Sequence, residues 1–120
     1  MLDSKLMPFV ETGKYNRMQL AQLQFGLNAG VDVTVYANPL FDFDQMRCIR
    51  EGLELGLDAS IYADPQYSYG QMCEIKQGLK CGVDVTEYAN PAFPKERMKA
   101  IRVNLQSATN AKPVDSLIVW

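Results

Sequence analysis

The feature that most restricts how this chain can fold is an internal period of 26 residues. Tyr-Ala recurs at Tyr36-Ala37, Tyr62-Ala63 and Tyr88-Ala89, and Gly-Leu at Gly26-Leu27, Gly52-Leu53 and Gly78-Leu79. Asn38-Pro39, Asp64-Pro65 and Asn90-Pro91 keep the same step. Aligned without gaps, the copies occupy residues 15–40, 41–66 and 67–92. Copies two and three agree at 10 of 26 positions, and copies one and three at 13 of 26. A fourth copy starts at Phe93 and decays. It keeps Met98, Ile101 and Leu105 but has Asn104 and Ala108 where the others have glycine. In such an array no unit can bury its apolar face alone, so neighbours stack and atypical ends close the core. The expected organisation is one repeat domain over residues 1–120. It comprises an N-terminal cap (1–14), three full repeats, the decayed fourth (93–108) and a C-terminal cap or tail (109–120).

Each unit opens with a helix signature. Asn16 with Gln19, Asp42 with Gln45 and Ser68 with Gln71 have the spacing of a capping box, in which a short polar side chain and a Gln three residues on satisfy orphan amides. Behind it, Leu20, Leu23 and Leu27 recur at the three-and-four spacing of one helix face. So do Met46, Ile49 and Leu53, then Met72, Ile75 and Leu79, then Met98, Ile101 and Leu105. Gly30, Gly56 and Gly82 read as C-terminal caps.

The second half of the unit admits two readings. Val31 to Tyr36 is β-branched and alternating, which suits a strand and an α/β array like a leucine-rich repeat. Against this, Val33, Tyr36 and Ala37 have helical spacing. Position 35 is Val35, then Ile61, then Glu87, which reads as exposed. Asp32, Asp58 and Asp84 then become N-caps of a short helix, with Glu87 completing a second capping box at Asp84. Pro39, Pro65 and Pro91 end it. The expected fold is therefore an all-α solenoid of about four helix–turn–short-helix units, with the α/β leucine-rich-repeat-like array as the alternative.

The pattern Phe41-x-x-x-Gln45-Met46-x-x-Ile49-x-x-Gly52-Leu53-x-x-Gly56-Leu57-Asp58-x-Ser60-x-Tyr62-Ala63-x-Pro65 resembles short tandem repeats in uncharacterised proteins of Gram-positive bacteria and their mobile elements. The resemblance covers residues 15 to about 108 and implies no activity and no functional residues. The order of long helix, Asp-started short helix and Asn-Pro turn is similar in plan to leucine-rich-variant repeats.

Chemistry is excluded more readily than assigned. The chain has no histidine, which removes the commonest general base and metal ligand. Cys48, Cys73 and Cys81 are odd in number, lack metal-knuckle spacing and read as incidental thiols in a reducing compartment. Asp32, Asp58 and Asp84 have no second carboxylate at cation-ligand spacing. No cofactor or metal is expected, and no enzyme. Residues 1–10 have no leader-like apolar run, and the apolar stretch from Leu117 to Trp120 is far too short to span a membrane. The expected location is cytoplasmic.

Other repeated residues have structural readings beside sharper ones. Gly26, Gly52 and Gly78 could admit a phosphate, but they end a helix rather than open one, so close approach of a neighbouring helix is the expected reason for them. Tyr36, Tyr62 and Tyr88 form one aromatic ladder; Tyr15, Phe41, Tyr67 and Phe93 form another. Such ladders could stack bases, yet residues placed identically in every unit behave as core. Gln19, Gln45 and Gln71 could read adenine edges, but capping already explains them. At the C-terminus, Lys112-Pro113 reads as a turn and Asp115 as a cap, from which the Leu117–Trp120 tail would fold back near Ile101 and Leu105.

What differs between copies lies on the outer side of the long helix: Arg47, Arg50, Glu51, Glu54, Cys73, Lys76, Gln77 and Lys80. The expected function is a protein–protein interaction module presenting this surface, or, more sharply, an adaptor or inhibitor from a mobile element. The partner's identity and the oligomeric state are open. A formal net charge of −2 argues against nucleic acid. An RNA- or DNA-binding helical repeat is nevertheless the alternative, because Lys76, Lys80, Lys95, Arg97, Lys99 and Arg102 make the second half more basic.

Overall fold

In the computed structural model of the protein, residues 4–118 are described, with side chains through residue 108. Among the described residues five α-helices follow in order: α1 (Met7–Thr12), α2 (Arg17–Ala29), α3 (Phe43–Glu54), α4 (Tyr69–Cys81) and α5 (Lys95–Ile118). Single turns of 3-10 helix at Val33–Val35, Ala59–Ile61 and Val85–Glu87 separate α2 to α5. Among the described residues there is no strand. The α/β alternative is thereby overturned, and the second half of the unit is helical but only one turn long.

The capping boxes form as spaced. Asn16, Asp42 and Ser68 each accept a bond from the backbone N–H of the Gln three residues on. The Gln side chain accepts one from the cap's own N–H in return. At the other end, Gly30, Gly56 and Gly82 sit at φ of 75–76°. The next residue's N–H reaches back to Gly26, Gly52 or Gly78 O at 2.9–3.1 Å, which closes the helix in a Schellman arrangement. Asp32 and Asp84 then cap the short turn by accepting from Thr34 and Thr86 N at 3.1 Å. Asp58 instead bonds the Ser60 hydroxyl and accepts no capping N–H. The bond at Asp84 comes from the second residue on, so the second capping box expected with Glu87 is an Asx turn.

The Asn-Pro step is a tight turn in which Pro supplies a fixed φ at the second position. Phe41, Tyr67 and Phe93 N donate to Asn38, Asp64 and Asn90 O at 3.0 Å. The Asn or Asp side chains accept from Leu40, Gln66 and Ala92 N at 2.9 Å.

The long helices pack consecutively: α2 on α3, α3 on α4 and α4 on α5. Leu23, Met46, Ile49, Met72, Ile75 and Met98 are fully buried between them, as are Tyr36, Tyr62 and Tyr88. At the N-terminal end, Leu6 is buried, and Phe9 of α1 meets Tyr15 edge-on with ring centres 6.0 Å apart. At the other end the burial fades. Ile101 is only half-buried, unlike Ile49 and Ile75 at the same place in earlier units.

Three expectations need correction. Val35 and Ile61 are not exposed; both apolar side chains pack partly against the core, whereas the charged Glu87 at the same place in the third unit is exposed as expected. The glycines inside the long helices do not admit a neighbouring helix. They admit the tyrosine of their own unit. The turn expected at Lys112-Pro113 is absent, and the backbone of α5 continues through it as helix to Ile118. The proposed contacts of Leu117 to Trp120 lie outside the described residues and side chains.

Candidate functional site

The repeated polar residues turn out to be internal. Gln19 Nε2 donates to Pro39 O at 3.1 Å and to Phe41 O at 2.7 Å, the latter being the first residue of the next unit. Gln45 does the same to Pro65 and Tyr67 O (3.5 and 2.7 Å), and Gln71 to Pro91 and Phe93 O (2.9 and 2.7 Å). Each Gln thus caps its own helix through its oxygen and ties the following unit through its nitrogen. No amide edge is left to read a base. Arg97 holds this position in the fourth unit and stacks on Phe93, 4.1 Å from the ring centre.

Tyr36, Tyr62 and Tyr88 donate their hydroxyls to Gln22, Cys48 and Glu74 O at 2.6–2.9 Å. Burial, the largest cause in each, raises all three phenols, Tyr88 to about 12. The first ladder therefore offers no stacking face; in the second, Phe41 and Tyr67 are buried, and Tyr15 and Phe93 are half-buried.

The copy-varying side chains are brought together on the outer face of α3 and α4. Lys76 Nζ meets Glu51 Oε1 at 2.9 Å across the two helices. Burial pushes the Glu51 carboxyl up, but the Lys76 hydrogen bond and charge, with Arg47 and Arg50, outweigh it and hold it below the usual range. Arg50 pairs with Glu54 one turn on and donates from Nε to Gln22 Oε1 on α2 at 3.1 Å. Arg47 pairs with Asp44 at 3.0 Å and donates to the Tyr69 hydroxyl at 3.2 Å, with its guanidinium 5.5 Å from that ring's centre. Gln77 donates to Cys81 Sγ at 3.7 Å. Glu51, Glu54, Leu55, Lys76 and Lys80 line a hollow of about 310 Å³.

All eight expected surface residues therefore occupy one face, at positions a helical turn apart on adjacent helices. Of the eight, Glu54 and Lys80 are exposed, Glu54 while paired with Arg50, and the other six are half-buried. Sequence reasoning missed Leu55, Tyr69 and Phe25, which are 56%, 39% and 50% exposed. Each sits at a position that changes between copies, and exposed apolar side chains at variable positions are the signal that could have found them. It also missed that Cys73 meets Cys48. These two stand 25 residues apart, one off the repeat, so an alignment by unit separates them.

Of the basic residues in the second half, Lys76 is paired with Glu51, and Arg102 donates to Glu74 at 3.0 Å and to Gln106 at 2.6 Å. Lys80, Lys95 and Lys99 are exposed. Among the described residues no helix is long and apolar enough to cross a membrane. No protein-family model, curated protein or solved structure matches the chain.

Proposed function

We propose that the chain is a short α-solenoid that works as a protein–protein interaction module, with the outer face of α3 and α4 as its contact surface. The solenoid reading rests on the 26-residue period together with inter-unit bonds that recur in step: each Gln to the carbonyls 20 and 22 residues ahead. The functional reading is carried by one observation. Five side chains that change from copy to copy, Glu51, Glu54, Leu55, Lys76 and Lys80, line one hollow, whereas the repeated tyrosines and glutamines are buried. Both charge signs meet there beside exposed Leu55, and at the start of α4 Arg47 lies over exposed Tyr69. Such a mixture of arginine, aromatic and apolar groups suits a protein surface better than a phosphate backbone, which asks for one sign. A role as adaptor or inhibitor from a mobile element is a narrower form that rests on the resemblance of the repeats alone.

The test is capture of partners from the native host by the immobilised chain, set beside the double variant Leu55→Glu/Lys80→Glu. Both residues are exposed, so the variant should melt as the parent does. A protein retained by the parent and lost from the variant is the expected result. A nucleic-acid mobility shift that collapses as salt rises, with no protein partner, would replace this reading with the helical-repeat nucleic-acid binder.

A further inference from the structure

The three helix junctions are not built alike. Where α3 meets α2, Arg50 reaches back to Gln22, and where α5 meets α4, Arg102 reaches back to Glu74. Gln22 and Glu74 hold the same position in their units, and Cys48 holds it in the second unit. With no acceptor side chain there, Lys76 turns to Glu51 instead. The group that meets Cys48 is Cys73, so the middle junction closes on two thiols.

We propose that Cys48 and Cys73 form a peroxide-sensitive dithiol in which Cys73 is the attacking sulfur and Cys48 the resolving one. Cys48 is fully buried on α3, and Cys73 is half-exposed on α4, so an oxidant in solvent reaches only the second. Around them stand Glu51 from α3, and Tyr69, Glu74 and Lys76 from α4, with Arg47 over the Tyr69 ring. The Cys48 thiol and then the Tyr69 hydroxyl hydrogen-bond to the Cys73 sulfur, and Lys76 adds a positive charge. Together they outweigh burial and draw the Cys73 thiol below its ordinary range. The complementary shift raises Cys48, through its bond to Cys73 first and its burial second. A thiolate with a half-open face and a protonated partner in contact is the arrangement that oxidation to a disulfide requires.

The steps balance with hydrogen peroxide as oxidant. The Cys73 thiolate attacks one peroxide oxygen, the O–O bond breaks, and the hydroxide that leaves is neutralised to water by the proton the Cys73 thiol released on ionising; Cys73 becomes a sulfenic acid. The Cys48 sulfur then displaces that hydroxyl, and the Cys48 proton leaves with it as water. The product is a Cys48–Cys73 disulfide that joins α3 to α4 beneath Arg47 and Tyr69, and a dithiol reductant reverses it. Cys81 lies on α4 beside Gln77 and serves as an internal control.

The reduced full-length chain is treated with a small excess of hydrogen peroxide, then examined by intact mass, thiol titration and peptide mapping. The expected result is a mass lower by two hydrogens, loss of two of the three titratable thiols, and a Cys48–Cys73 linked peptide. Cys81→Ser should respond like the parent, and Cys73→Ser should not respond. Cys48→Ala should stop at a sulfenic acid that dimedone captures at Cys73. Should Cys48→Ala fold poorly, the pH profile of alkylation on the unaltered chain decides. Cys73 should reach half its maximal rate below the ordinary thiol value of about 8.5. Oxygen adducts on Cys73 without a cross-link, a bridge through Cys81, or an alkylation midpoint at the ordinary value would each overturn the proposal.

Discussion

The Tyr62 hydroxyl lies where a Gly52 side chain would begin: a Cβ on Gly52 would stand 2.0 Å from the phenol oxygen. The same holds for Gly26 with Tyr36 (2.0 Å) and Gly78 with Tyr88 (1.9 Å). The hydroxyl is drawn there because it donates to the Cys48 carbonyl, one helical turn before Gly52. Glycine inside a helix normally costs about 1 kcal/mol relative to Ala. Here it makes room for a buried ring and its hydrogen bond.

Gly52→Ala separates two forces. Helix propensity alone predicts a gain of about 1 kcal/mol. Overpacking against Tyr62, with the Ala59 methyl also at 3.3 Å, predicts a loss of about 1–3 kcal/mol. The loss should win, since the ring is enclosed and cannot swing away. Tyr62→Phe alone should cost about 1 kcal/mol for the bond to Cys48 O. In the double variant the obstructing oxygen is gone, so the combined loss should be smaller than the sum. Urea melts of the four proteins measure this. Additive losses would mean that the hydroxyl is not what the glycine accommodates.

Gln45 is a capping residue and a clamp, and Gln45→Glu tells these apart. Glu serves a capping box as well as Gln does, so a purely capping role predicts no loss. As a clamp, Gln45 donates to Pro65 and Tyr67 O, and a carboxylate cannot donate. Two carbonyls would then lose their partner beside a negative charge, at a cost of about 1–3 kcal/mol at neutral pH. Differential scanning calorimetry of the variant should show that drop. An unchanged transition would reduce Gln45 to its capping role.

These cases also show what the residues alone could and could not reveal. Capping boxes, the apolar face and the terminal glycines act within one helix, so spacing exposes them. The tie from Gln45 to Tyr67, the approach of Tyr62 to Gly52, and the contact of Cys48 with Cys73 join segments that meet only after folding. Each was visible as a recurrence, or hidden by a step of 25 instead of 26, but its partner was not written in the local pattern. The gathering of Arg47, Glu51, Cys73 and Lys76 on one face was legible, because helical spacing fixes a face. Their mutual pairing was not, because it depends on how α3 and α4 align.

The Glu51–Lys76 pair gives a small acid dependence. The folded state lowers the Glu51 carboxyl, so its contribution is present above the unfolded value of about 4.3 and is lost as pH falls through the folded one. The Glu51 side chain is 42% exposed, and solvent screening limits the effect to at most about 1 kcal/mol. Between neutral pH and the acid limb, the denaturation midpoint of Glu51→Gln should converge on that of the parent. Parallel curves would show that the pair contributes nothing.

The buried tyrosines set the alkaline limit. Burial raises Tyr36, Tyr62 and Tyr88, and each donates its proton to a backbone carbonyl that a phenolate would repel. A folded value above the unfolded one of about 10 means that the stabilisation is complete below that pH. It is lost progressively as pH rises toward the folded values. Titration by phenolate absorbance should therefore show two groups. Tyr69, the most exposed of the six tyrosines, should ionise reversibly while the helical circular dichroism is intact. Tyr36, Tyr62 and Tyr88 should ionise together with its collapse, because they are reached only by unfolding. Tyr62→Phe should leave one fewer phenol in that second group. If all six ionise in a single reversible step near the ordinary value with the helices intact, the hydroxyls are not held as described.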